Sequence, residues 1–106
     1  MIMTPGSTIA GHKVAKTLGL VRGNTIRARH VGRDIVALLK HLIGGEIEEY
    51  TKMMGEAREQ ALDRMAKEAE VLGANAITDL RFTTSYVMAG AAEVLVFGNA
   101  VVIESA

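Results

Sequence analysis

The segment Glu93–Glu104, EVLVFGNAVVIE, alternates like a strand yet has no polar side. Side chains of a strand point to opposite faces at successive residues, so Leu95, Phe97, Val101 and Ile103 share one face. Val94, Val96, Gly98, Ala100 and Val102 share the other. A small antiparallel sheet covered by helices on one side is expected to show water a polar face. Here both faces are apolar, and leaving one bare would create a patch that soluble monomers seldom carry. The strand therefore predicts a homo-oligomer, closed by rotational symmetry into a ring whose copies cover one another.

The preceding residues supply the rest of the fold. Glu46–Leu72 spaces Ile47, Tyr50, Met54, Ala57, Ala61, Met65, Ala69 and Leu72 by three or four, which predicts a helix of about 26 residues, roughly 39 Å long, with one buried stripe. Its three alanines admit close approach to a sheet, Glu46, Glu48 and Glu49 lie at its positive end, and Glu48–Lys52 and Asp63–Lys67 are spaced for surface ion pairs. Gly73 is the expected left-handed residue that ends it, and Ala74-Asn75 turns the chain into a strand reaching Tyr86. Val87–Ala92 then allows a hairpin into the last strand. Upstream, GRDIVALLKHLIGG places Ile35, Leu38, Leu39, Leu42 and Ile43 at helical spacing before Gly44-Gly45 breaks the pattern. Thr8–Ala28 alternates loosely and reads as strand, with a bulge or tight turn at Gly23-Asn24. The expected architecture is α+β: one domain over residues 1–106, with two helices packed on one face of a small antiparallel sheet of about three main strands.

Composition removes several classes of function. Twelve basic residues balance twelve acidic ones, and the aromatics are Phe82, Phe97, Tyr50 and Tyr86 without Trp, so neither a phosphate backbone nor stacked bases find a suitable surface. With no cysteine, disulfides, zinc ribbons and thiolate chemistry are excluded. The N-terminal MIMTPGSTIAGHK has no signal-peptide pattern, and the apolar run Val87–Ile103 is interrupted by Glu93, Asn99 and two glycines, so no membrane partner and a cytoplasmic location are expected.

Few residues carry chemistry by pattern. Gly6–Lys13, GSTIAGHK, approaches a phosphate-binding loop, but its lysine comes one residue late and no strand is expected before it. Ser7, Ser85 and Ser105 lack a nucleophile elbow. His12, His30 and His41 have no ligand spacing within one chain, and read singly they are solvated or structural. A rotational axis changes this, because each subunit contributes a copy of the same side chain. His30, just before the first helix, is the preferred ligand for a divalent metal, and His12 the second. Glu93 heads an apolar strand: buried, it needs a partner, a proton or a metal; at an exposed strand end it needs none. Arg33-Asp34 sits at a predicted helix N-terminus, where it can cap the helix or meet an anion.

Four segments, GRDIVALLKHLIGG, Tyr50 with Glu56–Leu62 (EAREQAL), Leu72–Ile77 (LGANAI) and Phe97–Glu104 (FGNAVVIE), resemble the YbjQ-like family of heavy-metal-binding domains over about ninety residues from Gly32 onward. The resemblance implies a dodecin/YbjQ-like α+β subunit assembled as a ring, usually a pentamer. It departs at Glu46, where a basic residue is common after the glycine pair, and at Asn99, where a small polar one is; an anion site beside Gly44-Gly45 is weakened by that reversal. The expected function is a homo-oligomer binding a divalent metal or small ligand at subunit contacts, with Arg33, Asp34, Gly44, Gly45, Tyr50 and Glu93 as the ligand set. The alternatives are an enzyme whose site forms there from Arg33, Asp34, Tyr50 and Glu93, and a ring with a purely structural role.

Overall fold

The computed structural model describes residues 1–28, 45–88 and 91–106, with the side chains of 28, 45–50, 87 and 88 outside that description. Among them the chain forms β1 (Ile2–Met3), β2 (His12–Ala28), α1 (Gly45–Leu72), β3 (Ala76–Met88) and β4 (Ala91–Ser105). The strands make one sheet in the order β1-β3-β4-β2. Three long strands are antiparallel as expected, but the sheet is mixed, because Ile2-Met3 adds a short parallel strand beside Ala76-Ile77. That addition gives hydrogen-bonding partners to the start of β3, which would otherwise be a bare edge. The shorter helix expected around Ile35–Ile43 lies outside the described residues, so one of the two expected helices is seen here. That helix is not long and apolar enough to cross a membrane.

The stripe read from the sequence is the face α1 buries. Met54, Ala57, Ala61, Met65 and Ala69 pack on Val21, Ile77, Val94, Val96 and Ala100. Complete burial of side chains such as Met65, Ile77, Val94 and Val96 is worth about 1.5–3 kcal/mol apiece. Leu72, at the helix end, is instead exposed, and Asp63 and Lys67 do not close their expected ion pair; the pairs found among the described residues are Lys13–Glu104 at 3.4 Å and Arg27–Glu56 at 4.0 Å. Gly23 is no turn. It stays in the ladder opposite Val96, directly beneath the helix, where a β-carbon would fall 2.1 Å from the Ala61 carbonyl oxygen and 2.6 Å from the Met65 nitrogen. The glycine lets the backbones touch, and the irregularities of β2 come earlier, between Val14 and Lys16 and between Thr17 and Gly19.

The end of α1 follows the sequence closely. Gly73 has φ 91° and donates to the Glu70 carbonyl at 3.0 Å, while the Ala74 N–H reaches the Ala69 carbonyl at 3.0 Å, the two bonds of a Schellman cap. Asn75 then substitutes for a peptide unit: its side chain donates to the Ile103 carbonyl at 3.0 Å and accepts from the Ile103 N–H at 2.7 Å. Its own N–H reaches Val101 at 3.1 Å. Helix end and strand start are thereby tied to β4 within three residues.

The two apolar faces of β4 meet different fates. Val94, Val96 and Ala100 lie beneath α1, fully buried. On the opposite face Val101 and Ile103 are covered with Ala76 by the N-terminal segment through Ile9. The rest of that face, around Leu95 and Phe97, has no cover among the described residues.

Candidate functional site

Asp79 is the one described residue other than glycine with a positive φ, 55°. It sits in a β-bulge, since Thr78 pairs with Asn99 but Arg81 already pairs with Phe97. An acid inside the β-rich run TDLRF is the sequence trace of this bulge, because Asp is poorly suited to a regular strand and tolerates the left-handed region. The extra residue frees backbone donors for the N-terminal segment: the Asp79 N–H meets the Gly6 carbonyl at 2.9 Å and the Leu80 N–H meets that of Thr4 at 3.1 Å. The Ser7 hydroxyl donates to one carboxylate oxygen of Asp79 at 2.6 Å, and the Asn99 amide to the other at 3.1 Å. These bonds, Ser7 foremost, with help from Thr78 and the Arg81 charge, hold the carboxyl below its usual range against a smaller opposing effect of burial. Arg81 in turn donates to the Pro5 and Leu80 carbonyls at 2.7 and 2.8 Å.

From this clasp the open half of the sheet extends along three strands. Register places Leu20 beside Asn99, then Arg22, Phe97 and Arg81 in one row, Asn24, Leu95 and Thr83 in the next, and Ile26, Glu93 and Ser85 beyond. Leu20 and Ile26 are 64% and 61% exposed, and Phe97 and Leu95 are half-buried. The face is thus apolar along its middle, with Arg22 and Arg81 paired to Phe97 from the strands on either side. On the helix side, β3 also outruns its cover: Phe82, Thr84 and Tyr86 share the orientation of Val96, Val94 and Ala92, yet Tyr86 is 73% exposed. An open groove of about 290 Å³ lies there, lined by Thr51, Met54, Arg58, Thr84 and Tyr86. On the other flank of α1, Arg27 donates to Gln60 at 3.1 Å beside Glu56.

His30, Arg33, Asp34 and Gly44 lie outside the described residues, and Gly45 and Tyr50 are placed by backbone only, in the first turns of α1. Glu93 is half-buried in the last row of the open face, between Ile26 and Ser85, with no ion pair among the described residues. His12 is at the far end of the sheet: the fourteen steps from it to Ile26, the register partner of Glu93, span roughly 46 Å of strand. These two candidates are not brought together. The His12 ring does have one feature of a metal ligand, its Nδ1–H given to the Ala10 carbonyl at 3.0 Å, which leaves Nε2 as the free lone pair. Yet no group of three His, Cys, Asp or Glu side chains converges among the described residues. Gly6–Lys13 forms no phosphate loop either. A strand, β1, does precede it, contrary to expectation, but strand β2 rather than a helix follows, so no helix N-terminus faces the loop. Sequence reasoning missed Asp79, Asn99, Arg22 and Arg81 as a group, because only the register of three strands aligns them.

Residues 1–104 match the family model YbjQ_1, described as "Putative heavy-metal-binding". The chain is similar to a UPF0145 protein of Dehalococcoides mccartyi, 58% identical across 98% of this chain and all of that one. A UPF0145 protein of Archaeoglobus fulgidus is 57% identical across 95% of this chain and 94% of its own. Among solved structures, a DUF74-family protein from Pediococcus pentosaceus superposes with a TM-score of 0.63 at 18% identity, covering 98% of both chains, a likeness of fold.

Proposed function

The chain belongs to the YbjQ family, and from that premise we propose that it works as a cytoplasmic homo-oligomeric ring, pentameric, that binds a metal ion or small ligand where subunits meet. One observation carries the reading: half of one sheet face, with Leu20, Ile26, Leu95 and Phe97 along it, has no cover among the described residues. Two further features support it. Beyond the segment paired with β1, the outer edge of β3 has no partner strand among the described residues, nor has the outer edge of the seventeen-residue β2, and long open edges invite pairing with another chain. The radius of gyration is 17.4 Å, against about 13 Å for a compact domain of this length, so the subunit is drawn out rather than closed on itself. A metal in this ring is held by copies of His12 or His30 from several subunits, not by one chain.

Mass spectrometry under non-denaturing conditions tests assembly and content together. A five-fold mass is expected; a monomer at micromolar concentration sinks the reading. Elemental analysis of untagged protein decides the metal branch, which is lost if there is less than one metal per ring and His12→Ala and His30→Ala leave the content unchanged.

A further inference from the structure

Arg22 on β2 and Arg81 on β3 are both register partners of Phe97 on β4. Directly opposed residues place their Cβ atoms about 4.5–5.5 Å apart, so the two arginines are rooted about 10 Å from one another with Phe97 rooted between them. Both are exposed. The acid nearest to them in the register, Asp79, keeps its charge within reach of Arg81 but closes no ion pair with it, its oxygens accepting from Ser7 and Asn99 instead. Arg81 spends its Nη1 donors on the Pro5 and Leu80 carbonyls, which fixes its position and leaves three N–H groups of the guanidinium. The chain is neutral overall and Asp79 and Glu93 share this face, so the two arginines are a local pair of donors and not part of a general basic surface.

We propose that the Arg22–Phe97–Arg81 row binds a small anion carrying a planar ring, such as a mononucleotide: the ring stacks on Phe97 and its phosphate or carboxylate is held by the guanidinium groups. Charge complementarity selects this occupant. Arginine offers planar, paired donors that match the oxygens of a phosphate or carboxylate, and a flat apolar ring is the natural partner of an aromatic side chain set among Leu95 and Leu20. Asn24, Thr83 and Asn99 border the row and supply polar contacts for the ring's own substituents. The inference rests on the assembly proposed above in one respect, that a second copy covers the same face and closes the ligand in from the other side.

Calorimetric titration of the full chain with AMP and with 1-naphthyl phosphate tests it, with adenosine and inorganic phosphate as controls and native mass spectra recorded for each sample. Either ring-bearing anion is expected to bind, each control at least tenfold more weakly, and Arg22→Gln and Phe97→Leu are each expected to weaken binding about tenfold, with Arg22→Gln, at an exposed position, leaving ring mass and unfolding temperature unchanged. The inference is overturned if neither anion binds an intact ring, if inorganic phosphate binds as well as AMP, or if both variants bind like the parent. Binding by a monomeric chain overturns the assembly and leaves this site standing.

Discussion

Asn75 and Asp79 lie four residues apart, and each uses a side chain to hold backbone. Asn75 pairs with both the N–H and the carbonyl of Ile103. Its replacement by Ala leaves those two groups short of partners in a part-buried place, so Asn75→Ala is expected to cost about 1–3 kcal/mol in urea unfolding at an unchanged m-value. Asp79 holds the N-terminal segment through Ser7 and is itself steadied by Asn99. An unperturbed Asp carboxyl titrates near 3.8, and in the fold it titrates lower. The stability it contributes is therefore fully present above the unfolded value and disappears as pH falls through the folded one. Asp79→Asn keeps a residue that tolerates the left-handed region but removes the charge. Its unfolding temperature is expected to lie below the parent's at pH 6, with the gap narrowing as pH falls below the unperturbed value of 3.8; a constant gap throughout argues against the carboxylate. The left-handed cap at Gly73 could be read from composition alone, since few residues but glycine end a helix that way. The role of Asp79 could not, because it depends on a serine seventy-two residues away in sequence.

The pairing of α1 with the sheet sets the second scale. Small side chains at Ala57, Ala61 and Ala69 lower the helix onto β2 and β4, and Gly23 completes the approach from the other side. Gly23→Ala is expected to destabilise the protein by about 1–3 kcal/mol or more, since backbone atoms of α1 occupy the space and must move. Gly73→Ala meets nothing within 4 Å, and its cost, about 1–2 kcal/mol, comes from the backbone angle instead. Thermal unfolding of Gly23→Ala, Gly73→Ala and Gly73→Asn separates these causes: Asn tolerates the left-handed region and is expected to recover part of the Gly73 loss, whereas at Gly23 the loss comes from occupied space and is expected to grow with side-chain size. The stripe of α1 was legible because its period is a local property. Gly23-Asn24 was misread as a break because a glycine in a strand signals irregularity or close contact alike, and the choice belongs to whatever lies above it.

At the scale of the molecule, the sheet is longer and wider than its cover among the described residues. The helix lies on β2 and β4, the N-terminal segment caps one end of the opposite face, and the remainder presents Leu20, Ile26, Leu95 and Phe97. If copies bury this region, Leu20→Asp with Ile26→Asp is expected to turn the assembly into monomers while circular dichroism stays that of the parent, because both side chains are already exposed in a single subunit and their replacement disturbs no core. Sedimentation velocity checks this, and an unaltered assembly in the double variant places the contact elsewhere.

By itself the sequence determined the period of α1, the glycine that ends it, the β character on either side and the excess of apolar surface on β4, all of which follow from spacing within a few residues. Tertiary structure alone decided which face of β4 the helix takes, that Gly23 is a point of contact, that residues near the N-terminus close the edge of β3 through Asp79, and that Arg22, Phe97 and Arg81 form one row. Those outcomes depend on strand register and on contacts between distant segments, and a shift of one residue in register would send every one of these side chains to the opposite face.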